Sequence, residues 1–86
     1  MPTAARGMYR NWVKSALTTL GPSRPKAVYE WIKSNEAVPS DDLAELTARG
    51  ESAFEKEVRF TRFDLRIEGV VSDQLGRGTW SLSEGV

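Results

Sequence analysis

Three arginines at helical spacing are the side chains in this sequence best suited to chemistry. Arg59, Arg62 and Arg66 are three and four positions apart. On a helix, where successive residues turn by about 100°, they fall within an arc of roughly 60°. Guanidinium groups bind phosphate oxygens, and arginine is the commonest specific partner of guanine in the major groove. The trio therefore predicts contact with phosphates and base edges of DNA.

Two structural interpretations of the same arginines stay open. They could form a solvated face of the helix, or they could pair with the acidic segment 36–57. Arg62 could also be held inside the fold by a carboxylate. The candidate carboxylates for that role are Asp41, Asp42 and Glu45.

Further polar residues near the arginines extend the candidate interface. Arg77 lies between two glycines, and an arginine at the tip of a hairpin can reach the DNA backbone or the minor groove. It could equally be a solvated turn residue. Arg24 and Lys26 are weaker candidates near a helix N-terminus, where phosphate is favoured. The predicted DNA contacts are Lys56, Arg59, Thr61, Arg62, Arg66, Arg77 and Thr79.

A capped helix is needed to position the arginines. Ser52 followed by Glu55 is a capping box that predicts a helix beginning near Ala53, and Gly69 is the expected end. One stripe of this helix is expected to face the core. Its members are Phe54, Val58, Thr61 and Leu65. Another side is acidic, with Glu57, Asp64 and Glu68.

The same helix carries a second apolar stripe, formed by Phe60, Phe63 and Ile67. In so small a domain, the favoured interpretation is packing against Trp80, Leu82 and the hairpin that follows. The alternatives are an exposed patch for a partner chain or tethered domain, or an aromatic that probes a modified base.

A short hairpin is predicted immediately after the helix. The runs 70–72 and 79–83 flank a glycine-containing loop, and Trp80 and Leu82 should share one face of the second strand. A basic helix followed by a small hairpin is the layout of a winged helix, in which the helix enters the major groove.

Three earlier helices are expected. The first spans Tyr9 to Leu20 and ends at Gly21-Pro22, and the second begins at Pro25 and ends near Asn35. Ser40 is the expected N-cap of a third helix that closes at Arg49-Gly50. Residues 1–7 are predicted to be a flexible arm, and 84–86 a loose tail or the start of a linker. The whole chain, 1–86, is thus predicted to be one α+β domain with a winged helix-turn-helix fold.

Composition narrows the function further. The chain has 86 residues, no cysteine and no histidine, so zinc sites and Ser-His or Cys-His pairs lack their usual groups. We expect a non-enzymatic cytoplasmic domain without cofactor, metal or membrane span. Twelve basic and twelve acidic residues cancel, but residues 1–34 hold six basic side chains against one acidic. Basic and acidic sides are therefore expected.

Three blocks of the chain resemble the N-terminal winged-helix domain of Mrr-type restriction endonucleases. The blocks are WVKSALTTLGPS with PKAVYEWI, FEKEVRFTRFDL, and EGVV with GRGTWSLS. The family often has asparagine-glutamine where this chain has Lys56-Glu57, and a second aromatic at Asp64. The resemblance implies a DNA-targeting module beside a C-terminal nuclease domain, in a restriction or defence enzyme. Several relatives act on modified DNA.

Two other functions stay open at this point. One is a winged helix that binds a protein or a second copy of itself, which zero net charge and the stripe Phe60, Phe63 and Ile67 would suit. The other is a small transcriptional regulator acting as a homodimer.

Overall fold

A computed structural model describes residues 6–44, 50–72 and 78–83. These residues form four helices and a two-stranded antiparallel sheet, which confirms the predicted α+β class. The arrangement is compatible with a winged helix. The elements are α1 (Arg6–Leu20), α2 (Pro25–Asn35), α3 (Ser40–Ala44), α4 (Ala53–Ile67), β1 (Val71–Ser72) and β2 (Ser81–Leu82).

Helix α4 begins and ends where its local sequence predicts. The Ser52 hydroxyl accepts a hydrogen bond from the Glu55 backbone N–H at 3.1 Å, so a donor that the helix leaves unpaired is satisfied. Gly69 has a φ of +83°, which glycine adopts without strain. This turn lets the Val70 N–H donate to the Leu65 carbonyl at 2.8 Å. The two caps fix where α4 begins and ends.

The other helix boundaries agree with the sequence less uniformly. Helix α2 begins at Pro25 and ends at Asn35, as predicted. Helix α1 begins at Arg6, inside the predicted arm of residues 1–7, so the helical pattern extends further toward the N-terminus than expected. The predicted end of the third helix, together with the tail 84–86, lies outside the described residues.

The core lies where α1, α2 and α4 meet. Helix α1 packs along α4, and the rings of Tyr9 and Trp12 meet edge to face at 4.9 Å between centroids. Tyr9 also approaches Phe54 of α4 at 6.0 Å. The predicted core stripe of α4 is confirmed, since all four members are fully buried. They are Phe54, Val58, Thr61 and Leu65.

The sheet is short but is tied back to the helices. Val71 pairs with Leu82 and Ser72 with Ser81. Trp80, just before β2, exchanges two backbone hydrogen bonds with Ser23, of 2.8 and 2.9 Å. The connection between α1 and α2 therefore adds a one-residue bridge to the hairpin.

Trp80 packs on the α2 side of the molecule. Its ring is nearly perpendicular to that of Tyr29, with 6.2 Å between centroids, and it is almost fully buried. The predicted alternation along this strand holds only in part: Ser81, expected on the opposite face, is also buried, and Leu82 is half-buried.

A buried polar contact joins the start of α1 to α3. The Tyr9 hydroxyl donates to Asp42 Oδ2 at 2.7 Å, and both residues are fully buried. Burial, together with the carboxylates of Asp42 and Glu57, raises the pKa of Tyr9 above its ordinary value. The phenol therefore stays protonated and keeps its donor role at physiological pH.

Across the described ranges, no helix combines the length and apolar character needed to cross a bilayer.

Candidate nucleic-acid interface

Helix α4 has an inner face in the core and an outer face in solvent. The outer face combines basic and apolar side chains, all exposed. They are Lys56, Arg59, Phe60, Phe63, Arg66 and Ile67. Since this helix is fully described, the outer face is a continuous surface of cations and large apolar groups.

The acidic residues of α4 lie mostly away from that outer face. Glu57 is buried, and Asp64 is half-buried. Glu68, just after the helix, accepts two hydrogen bonds from Arg10 of α1, at 2.6 and 2.7 Å. These bonds hold the pKa of Glu68 below its ordinary value and raise that of Arg10. Glu55 and Asp64 are both half-buried, so the exposed residues of α4 include three cations and no acid, although the chain as a whole is neutral.

Of the predicted contacts that the structure describes, the three exposed ones occupy the outer face together. Lys56 lies with its Nζ 5.5 Å from the centroid of the Phe60 ring. Arg59 forms an ion pair with Glu51, which precedes the helix. This pair is of the kind that the ion-pair interpretation predicted, between an arginine and the acidic segment. Arg66 is exposed in the last turn.

Arg62 lies at the border of the outer face and contacts an aromatic ring. Its guanidinium carbon is 5.3 Å from the centroid of the Trp80 ring, a distance typical of a cation–π contact. Its Nε is buried and has no hydrogen-bond partner among the described residues. Of the carboxylates proposed to hold it, Asp42 accepts the Tyr9 hydroxyl, and Glu45 lies outside the described residues. The contact with Trp80 was not predicted.

Thr61 must be removed from the predicted interface. Its side chain is fully buried on the inner face of α4, so a ligand on the outer face has no access to it. The helical arithmetic had already placed Thr61 on the core stripe, and that placement is the correct one. Thr79 is half-buried beside β2, and Arg77 lies outside the described residues.

The second apolar stripe is exposed, contrary to the favoured interpretation. Phe60, Phe63 and Ile67 are 48, 50 and 68% exposed, so the described strands of the hairpin do not cover them. Trp80, which was expected to pack on this stripe, bridges to Ser23 and packs on Tyr29 instead. The stripe itself was readable from the sequence, but its exposure depended on contacts that no local pattern specifies.

An open groove runs beside this stripe. It has a volume of about 460 Å³. Its lining residues are Pro25, Arg59, Phe60, Arg62, Phe63 and Trp80. Sequence reasoning missed the groove because its walls come from α2, α4 and Trp80, which are distant along the chain.

The N-terminus of α2 borders the groove through Pro25. Arg24 and Lys26, on either side of that proline, are exposed. The amino end of a helix carries a partial positive charge. The basic surface therefore extends beyond α4.

Comparison of the chain with protein-family models, with characterised proteins and with solved structures finds no match. Within the residues that the structure describes, no three acidic, cysteine or histidine side chains group in a way that could hold a metal ion.

Proposed function

We propose that this chain is a double-stranded DNA-binding domain of the winged helix-turn-helix type, with α4 as its recognition helix. One observation carries the proposal: the outer face of α4 gathers Lys56, Arg59 and Arg66 in solvent, while Glu57, Asp64 and Glu68 lie toward the core or α1. The major groove of B-form DNA is wide enough to admit an α-helix.

The residues divide into two roles in this mechanism. Arg59 and Arg66, exposed at the centre and end of the helix, are placed to contact phosphates and base edges. Lys56 and Arg24, near the amino ends of α4 and α2, are placed to contact backbone phosphates. For Arg59, DNA binding exchanges the Glu51 carboxylate for a phosphate.

The resemblance to the Mrr-type winged helix extends the proposal to biology. On that basis, the domain directs a C-terminal nuclease domain to DNA in a restriction or defence enzyme of the cytoplasm. The domain has no catalytic role of its own in this proposal. Whether adenine or cytosine methylation strengthens binding is tested by comparing methylated and unmethylated duplexes.

The test is a fluorescence-anisotropy titration of a labelled duplex at several salt concentrations. The double variant Arg59→Ala/Arg66→Ala should bind more weakly, and the slope of log K against log salt should fall in magnitude by about 2. The matched control is Lys14→Ala/Lys33→Ala, which removes two charges from the exposed surfaces of α1 and α2. Equal affinity for the Arg59/Arg66 variant and the wild type, at equal thermal stability, would contradict the proposal.

The exposed apolar stripe favours a second candidate, a protein-binding or self-associating winged helix. Exposed aromatic side chains in contiguous patches mark protein interfaces. Under this alternative, light scattering would show a concentration-dependent dimer that Phe63→Asp dissociates without unfolding the domain.

A further inference from the structure

The groove beside α4 is lined by both apolar rings and basic side chains. Phe60 and Phe63 of α4 contribute rings that are about half exposed, and Trp80 and Pro25 close the other side. Phe60, Phe63 and Pro25 supply most of the apolar surface that faces this space, because Trp80 is almost fully buried. The rings of Phe60 and Phe63 do not contribute to the core, because neither residue belongs to the buried cluster.

Cations are interleaved with these rings. Arg62 and Arg59 line the groove, Arg62 lies over Trp80, and the Lys56 ammonium lies over the ring of Phe60. Arg24 and Lys26 flank Pro25 at the groove's edge. An occupant must therefore carry negative charge and also present a flat or apolar surface.

A second copy of the chain meets these requirements poorly. A two-fold contact through this face would bring Lys56, Arg59 and Arg66 of one copy toward the same residues of the other, and like charges in contact disfavour association. A nucleotide meets both requirements, because every base has a π face and every phosphate carries a negative charge.

We infer, resting on the proposed DNA binding, that the groove receives one unstacked base of the bound DNA. The base stacks on Phe60 and Phe63, and its neighbouring phosphates bind Arg59 and Lys56. The domain consequently prefers DNA with a locally unpaired nucleotide, such as a bulge or a gap, over a fully paired duplex. A base that is already unpaired avoids the unstacking cost that a paired base would incur.

The test compares a fully paired duplex with the same duplex carrying a single bulged 2-aminopurine. Wild-type protein should bind the bulged duplex about tenfold more tightly, the size expected for stacking of one base on aromatic side chains. Binding should also change the 2-aminopurine fluorescence, which reports stacking of that base directly. Equal affinities and unchanged fluorescence, with salt-sensitive binding to both duplexes, would overturn the inference and leave the proposed function standing.

Two variants separate the groove from the rest of the apolar stripe. Phe63→Ala should abolish the preference for the bulge but retain binding to the paired duplex. Ile67→Ala is the matched control, because Ile67 is exposed on the same helix face but does not line the groove. Loss of the preference in both variants, or in neither, would count against a base in the groove.

The same experiment distinguishes failure of the inference from failure of the proposed function. Folded protein that binds neither duplex at low salt would overturn both. If it then bound an acidic peptide containing aromatic residues, and Phe63→Ala removed that binding, the groove would belong to a protein partner.

Discussion

The two faces of α4 are built from similar residues and differ in what they contact. Phe54 and Phe63 are nine positions apart on one helix; Phe54 is fully buried against Tyr9 and Tyr29, and Phe63 is half exposed beside Arg59 and Arg62. On the inner face, aromatic rings stabilise the fold. On the outer face, the same residue type lies among cations, which a core excludes. The neighbouring groups therefore distinguish a phenylalanine that stabilises the core from one that, in the proposed function, contacts DNA.

The largest expected effect is the difference between phenylalanines of the two faces. Phe54→Ala should lower the free energy of unfolding by about 3–5 kcal/mol, because it leaves a cavity in the core. Phe60→Ala, on the outer face, should change it by no more than about 0.5 kcal/mol. Urea denaturation followed by tryptophan fluorescence measures both values. Similar losses of unfolding free energy in the two variants would contradict the distinction between the inner and outer faces of α4.

A smaller effect is expected from the buried polar contact on the inner side. Tyr9→Phe should cost about 1.5–3 kcal/mol, because it removes a hydrogen bond to a carboxylate and leaves buried Asp42 Oδ2 without that donor. Tyr29→Phe is the control, since no hydrogen bond of the Tyr29 hydroxyl occurs within the described ranges. Thermal unfolding of the two variants makes the comparison. A cost for Tyr29→Phe as large as that for Tyr9→Phe would show that the contact with Asp42 is not the cause.

The smallest effect concerns the ion pair between α1 and the end of α4. Arg10 holds the pKa of Glu68 below its ordinary value of 4.5, so the pair stabilises the fold above that pH and the contribution is lost as pH falls through the lowered pKa. The stability difference between wild type and Glu68→Gln should therefore shrink in acid. Denaturation midpoints at neutral pH and below pH 4.5 test this. A difference that stays constant with pH would contradict the assignment.

Local signals in the sequence predicted where α2 begins and where α4 begins and ends. The helix signals are the capping box of Ser52 and Glu55, Pro25 at the start of α2, and Gly69 after α4. Each acts on residues only a few positions away, so its effect can be predicted without knowing the fold. The inner stripe of α4 followed from the helical period alone.

Long-range contacts account for what the sequence did not reveal. Tyr9 and Asp42 are 33 positions apart, and the bridge between Ser23 and Trp80 likewise depends on packing of distant elements. The exposure of Phe63 likewise depends on which elements pack beside α4, and no local pattern specifies that. The burial of Thr61 shows a related error: one residue was assigned to both the core and the interface, although a helical side chain faces only one of them.

The central claim is that DNA binds the outer face of α4. Its most direct test is an NMR titration of ¹⁵N-labelled protein with an unlabelled duplex. The account predicts that the amides of Lys56, Arg59, Phe63 and Arg66 shift most, and that those of Lys14 and Thr18 on the exposed surface of α1 stay unchanged. Shifts confined to α1, or no shifts at low salt from a folded domain, would contradict it.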